Sequence, residues 1–389
     1  MKLRKVLLLV IFLSPLITVA DFQEVKPKPY FEQLEARLAA DKAPDVGFVD
    51  ELRLPYYAAK GLAQPVPSDL VKEDFYPQLL QRFQLTDPAT GQVTTYAVPQ
   101  SFTTTALMVN ATAFDKTGVP VPQSWNPIEQ GGGELVAAAQ ELQGKQRLDG
   151  NTDFYALGLT PEFANWLPFF FQAGGQLYAQ PGKLGVDSEP GRVALSLWVD
   201  LVKQGLVDTS QVTPKGWPYD VQDRLLAQFS QDKIGMMLVG ASHFETVLGA
   251  KPGFEVQVVE LPAGPYGRAT VGYVRGYALY RPEPAAGSAT LLGSLTSAEA
   301  MQNTWMGHPM YMPPRPSLRS TWESKYPEHK AFMAGVDYVA PLNLPPVPWA
   351  NLEAFDRATA DVLYNAMVGN MPVSDALAQI EKLAEENLR

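Results

Sequence analysis

The chain has 389 residues, 46% of them hydrophobic, with 31 Lys or Arg against 41 Asp or Glu, a formal net charge of −10 and no cysteine. The acidic balance excludes a nucleic-acid groove, which needs a basic stripe to neutralise phosphates. The lack of cysteine excludes disulfides, zinc–thiolate sites and a thiol nucleophile, and the length exceeds what one core usually supports, so two lobes are expected.

In chain order, Met1–Lys5 carries Lys2, Arg4 and Lys5, and Val6–Leu13 is an unbroken apolar run. Ser14-Pro15 breaks the run and Thr18-Val19-Ala20 supplies small residues before a cut. This is the order of a cleaved signal peptide over residues 1–20, and the apolar run is well short of the roughly 20 residues that span a bilayer. With no cysteine for lipid attachment, the mature chain is expected to be periplasmic and diffusible.

Tyr30–Ala40 reads as an amphipathic helix, with Phe31, Leu34 and Leu38 on one face, and Asp45–Val49 as a strand. Thr104–Val109 is a second strand, and Glu134–Leu142 and Arg192–Gln204 are helices, the latter ended by Gly205. Val221–Gln231 predicts a helix, Ile234–Val239 a buried strand, and Phe254–Val259 and Val271–Tyr280 two further strands. Ser297–Met306 predicts a helix capped by Ser297, and Phe355–Val368 and Val373–Asn387 a closing helix pair. Helices alternating with short buried strands give an α/β chain with mixed sheets.

Most catalytic templates fail. There is no G-x-S-x-G elbow, no phosphate-binding loop with Lys-Ser/Thr and no H-E-x-x-H. Gly131-Gly132-Gly133 has no Lys after it and reads as a loop. His243, His308 and His329 lack metal-ligand spacing, and His308 and His329 read as surface residues. Asp50 and Glu51, adjacent in a loop, could both reach a ligand, and carboxylates form strong hydrogen bonds to sugar hydroxyls. Trp166, Phe169–Phe171, His243-Phe244, Tyr273, Tyr311 and Trp349 lie near loops or element ends. An aromatic ring there could cover the C–H face of a pyranose, with about 2–3 kcal/mol from burying ~100 Å². Core packing is the competing reading for these rings, above all for Phe169–Phe171.

Several phrases in a shared order resemble the extracellular solute-binding proteins of carbohydrate ABC importers, the maltose-binding-protein-like family. They are YFEQLEARLAADKAPDV (Tyr30–Val46), AAKGLAQP (Ala58–Pro65), YAVPQSFTTTALMVN (Tyr96–Asn110) and FDKTGVPVPQSW (Phe114–Trp125). FQAGG (Phe171–Gly175), AQFSQDKIGMMLVG (Ala227–Gly240) and VGNMPVSDAL (Val368–Leu377) continue the pattern.

The resemblance implies a two-lobed periplasmic-binding-protein-like fold with a ligand cleft between lobes. Lobe 1 would comprise 21–103 and 270–309, and lobe 2 104–269 and 310–389. It implies capture of a sugar for the membrane permease of an ABC importer, by a monomer without enzyme activity, metal or cofactor. The implied ligand contacts are Asp50, Glu51, Arg53, Gln100, Thr103, Trp166, Ser242, His243, Tyr273, Arg275 and Trp349. Two departures stand out: Ser242-His243 replaces the Trp expected after Gly240, and the pattern of the first βα unit of lobe 1 is missing. Val6–Leu13 could imitate a signal or stay to fill a sheet position. A secreted glycan-active hydrolase and a ligand sensor without a transport role stay open as alternatives.

Overall fold

The computed structural model describes residues 27–389 apart from 73, 88, 181, 213–218, 283, 284, 286 and 343–345. The expected signal peptide, and the place of the first βα unit, lie outside the described residues. Ten strands follow in order among the described residues: β1 (Val46–Asp50), β2 (Gln84–Thr86), β3 (Val93–Thr95), β4 (Ala97–Asn110), β5 (Tyr155–Gly158), β6 (Tyr178–Gln180), β7 (Lys183–Leu184), β8 (Ile234–Gly240), β9 (Val256–Val259) and β10 (Gly272–Leu279). β2–β3 and β6–β7 are small hairpins, and the other six strands share one sheet of order β1-β10-β4-β8-β5, with β9 also on β4.

β4 organises the molecule. Its first half pairs antiparallel with β10, from Ala97↔Ala278 to Thr104↔Gly272. Its second half pairs with β8, from Thr105↔Gly240 to Val109↔Met236, and with β9. One strand is thus common to the sheets of both lobes. β4 is more than twice as long as the Thr104–Val109 strand expected, because Pro99, Gln100, Ser101 and Thr103 hide the first half from an apolar-run reading. Pro99 lies beside a bulge at Arg275/Gly276, where a missing N–H is tolerated. Asn110 then ends the strand by capping the helix Ala111–Thr117, its side chain accepting the Ala113 N–H at 3.0 Å.

The helices follow their apolar periodicity. Glu189–Lys203 buries Ala194, Leu195, Leu197, Trp198 and Leu201 and carries Glu189 in its first turn and Lys203 in its last, in the favourable sense for the helix dipole. Ser297 caps Ala298–Asn303 as expected, its hydroxyl accepting the Ala300 N–H at 3.1 Å. Trp349–Met367 begins six residues earlier than predicted, directly after Pro348, and packs on Val373–Asn387. One apolar core runs through both lobes.

Three chain segments meet where β4 changes partners. The Thr105 N–H donates to Val271 O at 3.0 Å, and the Thr270 hydroxyl to Thr105 O at 2.6 Å. The Thr104 hydroxyl donates to Phe332 O at 2.5 Å, while Thr270 exchanges backbone bonds with Tyr338 and Ala340. Gly335 is obligatory here, since a Cβ would stand 2.4 Å from Thr104 Oγ1. Residues 312–317 bond to segments expected in lobe 1: Phe102 N–H donates to Met312 O, Tyr76 N–H to Pro314 O, and the Ser317 hydroxyl to Asp74. His329 is not a surface residue. It is fully buried with Glu245 at 2.9 Å and Glu328 at 3.2 Å, ringed by Phe244, Trp322, Tyr326 and Phe332, because it opens the helix Lys330–Ala334 that packs against the crossing.

Candidate functional site

The register of the crossing sheet decides which side chains share a face. Asp50 lies opposite Arg275, Arg275 opposite Ser101, and Tyr273 opposite Thr103. Directly paired residues project to the same side, as do residues two apart. Asp50, Thr103, Tyr273 and Arg275 therefore stand on one face of the sheet. Arg275 is exposed, and Thr103 and Tyr273 are partly so.

Asp50 ends β1 and accepts both the Arg53 N–H, at 2.9 Å, and the Arg53 guanidinium. That guanidinium is sandwiched, 3.8 Å from the Phe31 ring centre on one side and 3.8 Å from Trp349 on the other. Its Nε is buried without a partner. Phe31 packs on β1 through Phe48, whereas Trp349 opens the helix that packs against Phe163–Gln172 and Glu189–Lys203. Arg53 thus joins the turn after β1 to the first residue of the Trp349–Met367 helix.

Glu51 points elsewhere. Its carboxylate is buried, accepts the Val274 N–H at 3.1 Å and pairs with Arg82 at 3.0 Å, and Arg82 also donates to Ala340 O at 2.5 Å. Burial pushes its carboxyl up to about 7, against the pull of Arg82 and the Val274 N–H. This geometry anchors the end of β1 to β10 and, through Arg82, to the segment at Ala340. Trp166 is also set apart: it is fully enclosed between Phe163, at 5.9 Å, and Phe170, stacked at 5.3 Å, so its ring faces protein. Gln100 is buried, with its Oε1 taking the Ser101 hydroxyl and its Nε2 unpartnered. Ser242 is exposed, and His243 feels Asp223 and is held below the usual imidazole range by burial. No hydrogen bond, ion pair or ring contact joins either residue to the crossing-sheet group among the described residues.

Two carboxylates escaped the sequence reading. Phe163 and Phe355 meet edge to face at 5.3 Å, and the charge of the neighbouring Asp356 is felt at Glu162. Both are half-buried. Burial, then the charge of Asp356, pushes Glu162 up to about 7. Burial, then Glu353, does the same to Asp356. Glu162 accepts one hydrogen bond, from Asn165 at 3.2 Å, and the Asp356 carboxylate has no partner among the described residues. Tyr273 faces both from the crossing sheet: its phenol is held well above its ordinary pKa by burial and by Asp356, Glu162, Glu51 and Asp50, in that order. Isolated acids among 41 carry no sequence signal, which is why spacing could not find them.

The arrangement can accept hydroxyl hydrogen bonds and cover apolar C–H groups. Among the described residues no group of three or more His, Cys, Asp or Glu is placed to hold a metal, and no helix is long and apolar enough to cross a membrane.

The fold recurs in solved structures. The sugar-binding protein MalE of Xanthomonas citri is 20% identical with a TM-score of 0.76, covering 95% of this chain and 89% of that one. The GacH receptor of Streptomyces glaucescens, solved unliganded and with acarbose, is 23% identical with a TM-score of 0.71, covering 94% and 89%. An ABC substrate-binding protein of Listeria monocytogenes in complex with cycloalternan is 18% identical with a TM-score of 0.71, covering 94% and 90%. Among curated sequences, binding proteins of Brucella abortus and Brucella suis are 23% identical over 266 residues, which is 67% of this chain and 59% of theirs. The chain thus spans somewhat under two thirds of those relatives. The profile of the bacterial extracellular solute-binding proteins matches residues 20–302, and the chain belongs to that family.

Proposed function

We propose that this protein captures a sugar or oligosaccharide between its two lobes and delivers it to the membrane permease of an ABC importer. The observation that carries this reading is the convergence of Asp50, Thr103, Tyr273 and Arg275 on one sheet face with Glu162 and Asp356 on the facing helices. Such a cleft offers carboxylate acceptors and aromatic surface to one ligand. Structural neighbours named for acarbose, cycloalternan and sugar binding support the carbohydrate class.

In this reading, the chain is exported by its N-terminal segment and works in the periplasm as a monomer. Lobe 1 takes in residues 21–103 and 270–309 together with 310–318, and lobe 2 the remainder. Closure signals occupancy because the ligand binds the closed state better than the open one.

The test is thermal unfolding of the purified chain against sugars, amino acids and polyamines. A sugar at 100 times its dissociation constant adds about 2.7 kcal/mol. A shift with an amino acid and none with any sugar would sink the carbohydrate assignment.

A further inference from the structure

We propose that His329 is an acid-sensitive latch on the lobe crossing: its neutral ring holds the segment 319–340 against β4, and proton uptake releases that segment. The inference concerns the crossing itself and is independent of which ligand the cleft takes.

Pro327–His329 is a single turn between the helices Arg319–Lys325 and Lys330–Ala334. Three residues beyond His329, Phe332 O accepts the Thr104 hydroxyl, and Gly335 lies against Thr104 with no room for a Cβ. Thr270, further along the crossing, donates its N–H to Tyr338 O and accepts the Ala340 N–H. The turn at His329 thus sets where this segment meets β4, the strand shared by both lobes.

The ring itself sits in a closed nest. His329 is fully buried, with the ring centres of Phe244, Phe332, Tyr326 and Trp322 at 5.0, 5.9, 6.1 and 6.2 Å. Two charged groups face it: Glu245 from the helix Ala241–Ala250 and Glu328 from its own turn. The other charges on the elements packed against the turn are engaged elsewhere or exposed. Arg319 pairs with Glu323 and Asp337, Lys325 and the Tyr326 hydroxyl both donate to Met306 O, and Lys330 is exposed. β9 is Val-Gln-Val-Val and brings no charge, while His243, on the same helix as Glu245, feels Asp223 instead.

A neutral imidazole has one donor and one acceptor, whereas carboxylates only accept. Nδ1 makes its hydrogen bond to Glu328 Oε1 at 3.2 Å. Nε2 then presents a lone pair 2.9 Å from Glu245 Oε1, buried and with no hydrogen-bond partner. The nest therefore has a place for a second proton, but a charged ring there is cut off from solvent. Burial outweighs the pull of Glu245 and Glu328 and holds the ring below the usual imidazole range. Once protonated, the ring gains by leaving, because a buried cation is costly even beside carboxylates. Its departure withdraws the turn that aims Phe332 O at Thr104. Neutral and seated, or charged and displaced, are two states of one packed element, which is how buried histidines act as pH switches.

The experiment is hydrogen–deuterium exchange of the full chain between pH 8 and pH 5, corrected for the intrinsic pH dependence of exchange and read by mass spectrometry. Histidine ring protons are followed by NMR in parallel. The chain has three histidines, so His243→Gln and His308→Gln assign the His329 signal. Amide protection across 319–340 should fall about ten-fold or more as His329 takes up its proton, while the helix Glu189–Lys203 keeps its own. In His329→Gln the fall should shrink to within about two-fold. In Glu245→Gln, whose amide can donate to Nε2, proton uptake and release should both move to a pH about one lower. Release that persists in His329→Gln, or that does not follow the His329 signal, overturns the inference. So does a ring that charges with no loss of protection. If His329→Gln does not fold, the parent and Glu245→Gln decide, since release either tracks the His329 signal in both or does not.

Discussion

The Arg53 guanidinium lies 3.8 Å from the centre of the Trp349 ring, which joins the turn after β1 to the helix Trp349–Met367. With Phe31 on its other face, it is a cationic wedge between two aromatic planes. Each desolvated face contributes about 1 kcal/mol. Arg53→Ala should therefore destabilise the ligand-free protein by about 2 kcal/mol in urea unfolding. It should also enlarge the radius of gyration in solution scattering, as the lobes part. Arg53→Lys should recover little of this, because an ammonium lacks the planar fork that stacks. An unchanged radius of gyration in Arg53→Ala would remove the inter-lobe role.

The Glu51–Arg82 pair behaves differently, being sealed from water with side chains 2% and 4% exposed. Removing one partner of such a pair leaves a buried charge, at a cost of about 3–5 kcal/mol. Arg82→Met should lose about that much at pH 8. The loss should shrink near pH 5, where the carboxyl, already at about 7 with Arg82 present, takes up a proton instead. Denaturant midpoints at the two pH values check this, and equal losses would refute it.

Glu51, Glu162 and Asp356 all stand near 7 in the folded chain, above ordinary values of 4.5, 4.5 and 3.8. The folded state therefore holds protons that the unfolded state has released. Stability from these groups is full below the ordinary carboxylate range and falls as pH rises to about 7. His243 and His329, held below 6.5, act in the opposite sense, and their contribution is lost as pH falls through that value. The double variant Glu162→Gln/Asp356→Asn should therefore melt higher than the parent at pH 8, by a margin that narrows toward pH 5. A margin independent of pH would contradict the assignment.

Gly335 tests the crossing. A methyl there would press on Thr104 Oγ1 and disturb its bond to Phe332 O. Overpacking of this kind costs about 1–3 kcal/mol. Gly335→Ala should lower the urea midpoint accordingly, whereas Gly307→Ala, with open space around its would-be Cβ, should not. Equal effects of the two would show that the crossing has room to give.

The closing helix Val373–Asn387 matches its sequence reading end to end, and Glu189–Lys203 falls within three residues of it, because each has an uninterrupted apolar stripe and clear ends. The start of Trp349–Met367 was hidden by Pro346-Val347-Pro348, which reads as connection although Pro348 serves as the residue before the helix. The first half of β4 was hidden by its polar side chains. The site divides along the same line. Asp50, Thr103, Tyr273 and Arg275 converge because strand register carries them, and register follows from elements that the sequence announces. Glu162 and Asp356 flank a ring contact, Phe163 to Phe355, between residues about 190 apart in the chain, and no local pattern encodes that contact.

The shared strand also sets a timetable. Asn110 leaves the ribosome well before Ile234, the first residue of any strand that β4 pairs with. At about 5–20 residues per second, β4 waits roughly 6–25 seconds for its first partner and longer for β10. Neither lobe can finish its sheet during that interval, so the usual order of N-terminal domain first is closed to this chain. Both lobes should instead fold late and together, in one slow step dominated by distant strand pairings. A chain that stays unfolded for that long is well suited to crossing a membrane in extended form.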